Sequence, residues 1–391
     1  MPTKTVHDNS LIRIERTNED FVREYNEFES IPQKQFTTTT KGRGSGFNPS
    51  NRFDSHHFEQ TVDDITQEDA GRKIPTQFIP DNTKTILSKN DSPDIPFTYS
   101  INPYRGCEHG CIYCYARPSH EYLGFSSGLD FESKILVKFD SPKLLEKALL
   151  NPKWHPEPIC LSGNTDCYQP AERNLKITRE LLKVFLKFRN PVGLITKNYL
   201  ITRDIDILKE LAVLHLADVV ISITTLDNDL SQRMEPRTSI PVKRLEAIGQ
   251  LAKNGIPVGV LTAPIIPGLN DHEIPEILRS ASEAGATTAG YTLLRLSHTL
   301  KDLFKDWVQR HYPDKYSKIV HSIQEVRNGK LNATEWGTRM RGEGEMSDHI
   351  ASVFKTFSKK YNLNKDPFIG KPAPFLRNGI DQINLFDQTN T

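Results

Sequence analysis

Three closely spaced cysteines constrain this chain more than any other feature of its sequence. Cys107, Cys111 and Cys114 follow the spacing C-x3-C-x2-C, and glycines directly precede the first two, Gly106 and Gly110. Glycine tolerates the left-handed backbone that a tight loop requires. The spacing therefore predicts a loop that turns three thiolates toward one small object. Three thiolates suit a [4Fe–4S] cluster in which one iron has no protein ligand.

Zinc is the alternative occupant of such a loop. A closed structural zinc site takes four protein ligands, and no nearby Cys or His pair completes the set at zinc-finger spacing. His109 is a candidate fourth ligand, but it lies between two of the cysteines, where the geometry is cramped. The residues themselves favour the iron–sulfur cluster and leave a zinc knuckle as the second interpretation.

The stretch 100–118 resembles a known signature. Its three cysteines, with the aromatic Tyr113 before the third, are similar to the cluster motif of the radical S-adenosylmethionine (SAM) enzymes. The wider stretch resembles the branch related to spore photoproduct lyase, the "DNA repair photolyase" group. The resemblance implies that Cys107, Cys111 and Cys114 hold a [4Fe–4S] cluster whose open iron binds SAM, with Tyr113 in the cofactor site. It also implies that an electron from a flavodoxin- or ferredoxin-type donor cleaves SAM to a 5′-deoxyadenosyl radical.

Strand and helix candidates alternate along the middle of the chain. The apolar strand candidates span residues 97–101, 134–138, 158–161, 192–196, 219–224, 258–261 and 288–294. Helix candidates with an apolar stripe at steps of three and four residues lie between them. Such alternation is typical of a parallel sheet covered by helices. About six βα units predict an α/β fold, an open, partial (β/α)6 barrel of the TIM type. The resemblance implies the same fold.

Changes in composition divide the chain into four segments. Residues 1–95 show neither helical nor strand period and are predicted to form an extended, partly disordered N-terminal arm. Residues 96–298 hold the predicted barrel, and residues 299–361 follow with a pattern that predicts a helical C-terminal extension. Residues 362–391 form a polar tail. The cysteine loop therefore belongs to the second segment.

The loop after strand candidate 158–161 carries the next group of candidate residues. In parallel α/β barrels the reacting groups lie on loops that follow the strands. Radical SAM enzymes bind the SAM amine here through a Gly-Gly-Glu element, so the resemblance implies cofactor contacts, although only one glycine is shared. A polar turn without a ligand is the alternative. Cys167 is a candidate hydrogen donor to a substrate radical, or else a small half-buried residue. The predicted cofactor contacts are Gly163, Asn164, Thr165 and Asp166.

The later strands end in further candidates. A lysine at the mouth of a barrel is costly unless it meets an anion, and the resemblance implies that Lys197 contacts the SAM carboxylate. The resemblance also suggests that Ser222 binds the SAM ribose, whereas a serine bonded to the backbone is an equally good interpretation. Ile266 and Gly268 match part of the superfamily's G-x-I-x-G-x-x-E element, which packs along the adenosine. Asp271 stands where that element has glutamate.

Charged residues near the strand ends are weaker candidates. Arg203, Glu235, Arg237 and Arg295 follow successive strands, where they either line the open mouth or remain solvated or ion-paired. The basic, Gly-rich stretch 339–344 has the composition of a phosphate loop, but such a pattern is unspecific. Neither observation identifies a substrate.

The overall composition limits the function classes. The chain has 50 Lys and Arg against 49 Asp and Glu, so no global field attracts a polyanion. Five cysteines without a paired framework favour a reducing compartment. Neither a signal peptide nor an apolar run of membrane-spanning length is present, so we expect a cytoplasmic protein. The sequence predicts a radical SAM enzyme acting on a nucleic-acid base, in DNA repair or modification. A peptide or small metabolite is the alternative substrate, and a non-catalytic, metal-dependent nucleic-acid-binding module is the third hypothesis.

The polar tail contains one apolar pair. Leu385 and Phe386 end the stretch Gln382-Ile-Asn-Leu-Phe386, which resembles the short peptides by which bacterial DNA enzymes bind the replication sliding clamp. In this interpretation Leu385 and Phe386 fill an apolar pocket, while Gln382 forms a hydrogen bond at its rim. A tail that folds back onto its own core is the alternative. Clamp binding would favour DNA as the substrate, because tethering raises the local concentration.

Overall fold

Two sheets organise the part of the chain that this computed structural model describes, residues 42–53, 74–364 and 372–378. The strands are β1 (Gln77–Pro80), β2 (Ser88–Lys89), β3 (Tyr99–Ile101), β4 (Tyr104–Arg105), β5 (Lys134–Val137), β6 (Ile159–Leu161), β7 (Val192–Thr196), β8 (Ala217–Ser222), β9 (Val258–Ile265) and β10 (Thr288–Leu293). The α-helices are α1 (Leu129–Ser133), α2 (Ser141–Leu150), α3 (Glu172–Leu175), α4 (Ile177–Phe188), α5 (Ile205–Val213), α6 (Asn228–Met234), α7 (Pro241–Lys253), α8 (Ile274–Ala284), α9 (Leu300–His311), α10 (Tyr316–Glu325) and α11 (Glu345–Lys360). Short 3₁₀ turns cover Arg117–Leu123, Tyr199–Asp204, Asp271–Glu273 and Pro313–Lys315.

The larger sheet is the predicted barrel sheet. Six parallel strands follow the order β10-β9-β8-β7-β6-β3, and β2 joins the β3 edge in the antiparallel direction. Helices connect the parallel strands, as the alternation in the sequence predicts. The partial (β/α)6 barrel is therefore confirmed. The strand predicted at 192–196 has the expected bounds, whereas β8 begins and ends two residues earlier than predicted and β9 continues to Ile265.

The strand predicted at 134–138 forms, but it does not join the barrel. As β5 it pairs in parallel with β1 and antiparallel with β4, in a separate three-stranded sheet. Since β1 lies within residues 1–95, the described part of that segment contributes a strand to the fold. This small sheet flanks the cysteine loop, because β4 directly precedes the loop along the chain.

Alternation along the barrel strands separates a helix-facing side from an interior side. Val219 and Ile221 of β8 are 0% and 1% exposed and belong to the hydrophobic core that includes side chains of α5 and α7. Successive side chains of a strand point to opposite faces, so Asp218 and Ser222 point to the barrel interior. Burial of each apolar side chain on the outer side contributes about 1.5–3 kcal/mol, which stabilises the helices against the sheet.

The helices after the barrel pack back onto it. In α11, the Phe354 ring lies 4.6 Å from the Tyr291 ring of β10, measured between centroids. In α9, Trp307 is fully buried, and its Nε1–H donates to the Arg233 carbonyl at 2.9 Å. None of the described helices is long and apolar enough to cross a membrane.

Part of the predicted tail also contacts the barrel helices. Within residues 372–378, the Leu376 N–H donates to the Phe188 carbonyl at the end of α4, at 2.8 Å. The stretch 382–386, with the predicted clamp-binding pattern, lies outside the described residues. Clamp binding therefore stays a prediction.

Candidate functional site

The cysteine loop lies between β4 and the first 3₁₀ turn, close to the ends of the later barrel strands. Cys107 and Cys111 are 6% and 8% exposed, and Cys114 is half-buried. The Ile112 N–H donates to the Met234 carbonyl at 2.9 Å, which ties the loop to the segment that follows β8. The structure thus places all three predicted cluster ligands on one loop at the barrel mouth.

A buried arginine shapes this loop. The Arg117 side chain is fully buried; its Nε donates to the Cys111 carbonyl at 2.9 Å and its Nη2 to the Gly110 carbonyl at 3.2 Å. Glu132 accepts from the same guanidinium and neutralises its charge. Gly106 and Gly110 have φ angles of 82° and 69°, in the left-handed region that favours glycine. The glycines therefore permit the turn, and Arg117 fixes it.

The described segment 42–53 covers one side of the loop. The Gly44 and Ser45 N–H groups donate to the Glu132 carboxylate at 3.0 and 2.8 Å. A Cβ atom at Gly44 would lie 1.8 Å from the Gly110 carbonyl oxygen, so only glycine fits there. This close approach shields the backbone of the cysteine loop from water on that side.

The chemistry of the three thiols suits an iron–sulfur cluster. Burial raises the pKa of Cys107, Cys111 and Cys114, and the Lys197 cation lowers that of Cys111 in opposition. Metal binding favours the thiolate and so offsets the cost of burying these groups. Within the part of the chain that the structure describes, no three His, Cys, Asp or Glu side chains surround one metal-ion position. A [4Fe–4S] cluster takes one cysteine per iron, which suits three ligands spread along a loop.

His109 does not supply a fourth ligand, because both of its ring nitrogens are engaged. Nδ1 lies 3.4 Å from the Asp166 carboxylate, and Nε2 lies 3.2 Å from the Asn198 amide. Asp166 also accepts from the Thr196 hydroxyl at 2.8 Å and from the Lys197 N–H at 2.9 Å. Burial raises the pKa of Asp166, but His109 and these hydrogen bonds lower it overall. The carboxylate therefore organises the barrel mouth and has few free lone pairs for SAM.

The rest of the predicted amine-binding loop leaves one polar group free. The N–H groups of Asn164 and Thr165 donate to Asn102 Oδ1 at 2.7 and 3.1 Å. The Thr165 hydroxyl donates to a backbone carbonyl, and the Gly163 carbonyl accepts from the Tyr115 hydroxyl at 2.7 Å. The side-chain amide of Asn164 makes no hydrogen bond to another described residue. Of this loop, Asn164 is thus the side chain best placed for a ligand.

The Lys197 ammonium lies beside the cysteine loop at the end of β7. Its Nζ is 5.8 Å from the centroid of the Tyr113 ring and 3.4 Å from the Ala263 carbonyl oxygen. Neither contact satisfies an ammonium group with three donors. Burial lowers the pKa of Lys197, while the Cys111 thiolate raises it in opposition. A carboxylate next to Nζ would supply the missing acceptor.

A buried ion pair lies behind Tyr113. The Tyr113 hydroxyl and the Arg244 guanidinium both donate to Glu235, and the Thr224 hydroxyl donates to it at 2.6 Å. Glu235 and Arg244 are each 1% exposed. Arg244 also donates to the Ser222 carbonyl at 3.1 Å. Burial raises the pKa of Glu235, and Arg244 lowers it in opposition. Sequence reasoning missed Arg244, because a helical arginine is usually solvated and nothing local predicts its partner.

The three remaining SAM candidates lie near the same end of the barrel. Ser222 ends β8 and is 2% exposed. Ile266 is fully buried in a hydrophobic cluster that also contains Cys111 and Tyr113. Gly268 has a φ of 78° in the turn after β9. Their contacts with a cofactor stay predictions.

The structure distinguishes the two cysteines outside the loop. Cys167 is 0% exposed and belongs to the hydrophobic core, which argues against its predicted role as a hydrogen donor at the mouth. Cys160 lies between Ile159 and Leu161, which pack into that core, so alternation along β6 directs its thiol to the barrel interior. Burial, and then the Asp218 carboxylate, raise the pKa of Cys160 to about 12, which keeps its S–H bond at neutral pH.

Besides Glu235, two more of the predicted mouth charges are ion-paired within the protein. Arg203 lies 2.8 Å from Glu172 and 2.7 Å from Asp204. Arg237 lies 3.2 Å from Glu108, next to the first cysteine of the loop. These arginines thus follow the ion-paired interpretation, and they hold the surroundings of the loop in place.

Comparisons with known proteins agree with this geometry. A family model described as the radical SAM superfamily matches residues 101–281. A protein of Mycobacterium bovis is 33% identical over 238 residues, covering 60% of this chain and 70% of its own length. A protein of Methanocaldococcus jannaschii is 30% identical over 221 residues, covering 56% of this chain and 79% of its own. Both relatives are described only as uncharacterised proteins.

A solved structure shares the fold. Spore photoproduct lyase with bound AdoMet (SAM) and dinucleoside spore photoproduct superposes with a TM-score of 0.51 at 17% sequence identity. The match covers 73% of this chain and 79% of that one. At this identity the likeness establishes the arrangement of strands and helices and no more.

Proposed function

This chain belongs to the radical SAM superfamily, and on that premise we propose that it acts on a nucleic-acid base, in DNA repair or modification. Enzymes of this superfamily use a [4Fe–4S] cluster and SAM. When bound, the two cofactors supply a 5′-deoxyadenosyl radical that takes a hydrogen atom from the substrate. The protein contributes the binding and positioning of the cofactors and the exclusion of competing reactions.

The residues at the barrel mouth divide this work between them. Cys107, Cys111 and Cys114 hold the cluster, since they form the one group of three thiols in the described mouth. Lys197 binds the SAM carboxylate, because its ammonium lacks a strong acceptor in the protein. Asn164 binds the SAM amine through its free side-chain amide. Tyr113, Ser222 and the segment around Ile266 enclose the rest of the cofactor; they surround the end of the barrel nearest the loop.

A nucleic-acid substrate is supported by the shared fold. The solved structure that superposes on this chain holds, by its description, a dinucleoside spore photoproduct together with AdoMet. A barrel of the same architecture can present a base to SAM in the same way. The near-neutral net charge gives no independent support, so the fold carries this proposal.

Hydrogen return to the substrate radical is assigned to Cys160 instead of Cys167. The Cys160 thiol points to the barrel interior, whereas Cys167 is enclosed in the core. In this step the S–H bond breaks and a C–H bond forms on the substrate, which leaves a thiyl radical on Cys160. One electron from the reductant and one proton then restore the thiol.

Deuterium transfer tests the nucleic-acid proposal. The protein, reconstituted anaerobically with iron and sulfide, is reduced and incubated with SAM and either deuterated or unlabelled DNA carrying ultraviolet damage. We expect deuterium in the 5′-deoxyadenosine formed with the labelled DNA, measured by mass spectrometry. Cys111→Ala, which lacks a cluster ligand, is the control and should form none. Uncoupled 5′-deoxyadenosine without deuterium, together with transfer from a peptide or metabolite fraction, would favour the alternative substrate classes.

Sliding-clamp binding by the tail is a separate part of the proposal. Gln382, Leu385 and Phe386 form the pattern that carries it. A peptide of residues 376–391 is expected to bind purified clamp in a fluorescence-anisotropy titration, and Leu385→Ala with Phe386→Ala should abolish the binding. Binding that survives the double substitution would remove this support for a DNA substrate.

A further inference from the structure

A strap formed by residues 337–341 joins the two edges of the barrel sheet. At one edge, the Leu293 N–H of β10 donates to the Met340 carbonyl at 3.0 Å. At the other edge, the Gly337 N–H donates to the Asp94 carboxylate at 2.7 Å, in the connection between β2 and β3. β10 is the outermost strand at one edge of the sheet, and Asp94 follows β2, the outermost strand at the other edge. A segment that contacts both β10 and Asp94 therefore crosses the open side of the partial barrel.

Three arginines gather at the strap. Arg339 belongs to it and pairs with Asp94 through Nε. Arg295 follows β10, and its Nη1 donates to the Met340 thioether sulfur at 3.5 Å, which is a weak acceptor. Arg327 donates to carbonyls at the end of β10 and in the strap, so it fixes the strap to the barrel. Sequence reasoning singled out Arg295 and the stretch 339–344 separately, and the fold brings them together.

Positive charge exceeds negative charge in this cluster. The Nε atoms of Arg295 and Arg327 are buried and have no hydrogen-bond partner within the described residues. Burial, and then the like charge of Arg339, lower the pKa of Arg295; burial, and then Arg295, lower that of Arg327 to about 10. The acids nearby are Asp94, already held by the strap, and Glu343, which accepts from an asparagine. A buried donor of a charged group that lacks a hydrogen-bond partner destabilises the folded protein. An anion bound to the arginine cluster would supply the missing acceptor.

The cluster faces the cofactor end of the barrel. Tyr115 directly follows the third cysteine, and its hydroxyl donates to the Gly163 carbonyl in the predicted SAM loop at 2.7 Å. Arg295 lies within electrostatic range of both Tyr115 and Asp94. An anion bound to Arg295 would therefore lie between the strap and the cysteine loop, beside the place where the substrate must approach SAM.

We propose that Arg295 and Arg339 bind a phosphate group of the substrate at the open side of the barrel. The inference rests on the proposed function in placing the reacting part of the substrate in the barrel interior. Guanidinium groups bind two phosphate oxygens at once and stay charged, which makes a pair of arginines well suited to phosphate. With the phosphate held at the strap, the attached nucleoside extends toward SAM. The phosphate is the diester of a nucleic-acid strand or the monoester of a small molecule, and the two share this chemistry.

Isothermal titration of the reconstituted protein with bound SAM tests the site. The probes are the dinucleoside phosphate TpT, its uncharged methylphosphonate analogue and thymidine 5′-monophosphate. We expect a phosphate probe to bind and the methylphosphonate to bind more weakly. Arg295→Gln should raise the Kd of that probe by about 10- to 150-fold, the range for a lost hydrogen bond to a charged group. Arg279→Gln is the matched control, because Arg279 is half-exposed on α8 and paired with Glu276 and Glu283.

Two variants separate phosphate binding from a purely structural strap. Arg339→Gln removes a charge and also the pair with Asp94, so it weakens the probe under either account. Asp94→Asn keeps an acceptor for the Gly337 N–H but frees the Arg339 charge. A phosphate site predicts that Asp94→Asn binds the probe as tightly as the wild type or more tightly. Weakening as large as that of Arg339→Gln would show that the strap acts only as structure and would overturn the proposal.

The remaining outcomes are equally distinct. Equal affinity for TpT and its methylphosphonate, or no binding of any phosphate probe, contradicts the site. Loss of SAM binding in Arg295→Gln with unchanged probe affinity assigns Arg295 to SAM and also contradicts it. If thymidine 5′-monophosphate binds and TpT does not, the phosphate site is supported and the substrate is a small phosphorylated molecule. The proposed action on nucleic acid is then contradicted, while the phosphate site is not. SAM cleavage in the absence of DNA serves throughout as the check that the enzyme is intact.

Discussion

Replacement of Lys197 by methionine separates cofactor binding from stability. Methionine keeps a chain of similar length but removes the ammonium. In the protein without SAM, Nζ makes a 3.4 Å contact with the Ala263 carbonyl and lies 5.8 Å from the Tyr113 ring centroid, so little is lost on substitution. A charge-assisted hydrogen bond to the SAM carboxylate contributes about 1.5–3 kcal/mol. That range corresponds to a rise in the Kd for SAM of about 10- to 150-fold.

The same change should leave the fold intact. A half-buried ammonium without a strong acceptor does not stabilise the protein, so we expect an unchanged or higher thermal midpoint for Lys197→Met. The affinity is measured by anaerobic equilibrium dialysis with labelled SAM, and the cluster by its absorption and electron paramagnetic resonance signal. Lys183→Met is the control, since Lys183 lies on the surface of α4, 2.7 Å from Glu180. An unchanged Kd with a full cluster would refute the assignment of Lys197 to the carboxylate.

Three further predictions concern single side chains. Cys111→Ala should lose the iron–sulfur absorption and SAM cleavage, because the cluster ligands act as a unit; a full cluster in this variant would contradict the loop assignment. Cys160→Ala should retain the cluster but lose product, whereas Cys167→Ala should form product normally; product analysis with the reverse pattern would return the donor role to Cys167. Burial raises the pKa of Asp218 from 3.8 to about 6. The folded protein therefore holds this proton more tightly than the unfolded chain, and the free energy of unfolding falls as the pH rises from about 4 through 6. Two pKa units correspond to at most about 3 kcal/mol, so urea unfolding should show that Asp218→Asn gains stability over the wild type at pH 7.5 but not at pH 4; parallel pH profiles would contradict this.

Local patterns in the sequence were sufficient for the cluster loop and for the sheet. Cys107, Cys111 and Cys114 are close along the chain, so their spacing alone limits what they can bind. The apolar runs of β7 and β10 appear where they were predicted, because burial on a parallel sheet selects such runs whatever lies around them. The cofactors followed from these contiguous features together with the resemblance.

Other features depended on contacts between distant segments. Asp166 is a polar residue on a loop after a strand and was therefore predicted to contact the cofactor. In the structure, however, His109 pairs with its carboxylate and Thr196 donates a hydrogen bond to it. The sequence offered Cys167 as the candidate donor, because its loop follows a strand. In the structure the packing of that loop buries Cys167, and the phase of alternation along β6 directs the Cys160 thiol inward instead. No local pattern fixes which face of a strand meets the helices.

Strand β5 and the arginine cluster also depend on contacts between segments that are distant in the chain. The apolar run of β5 predicts a strand, but its partners β1 and β4 decide that it forms a separate sheet. Arg295 and Arg339 are weak signals individually, and they meet because one strap bonds both to β10 and to Asp94, which follows β2 at the other edge of the sheet. The sequence by itself thus determined the cofactor loop and the positions of the strands along the chain, since both depend on neighbours in the chain. Tertiary structure alone decided which charges remain unpaired and which thiol faces the interior, because both depend on the closing of the sheet.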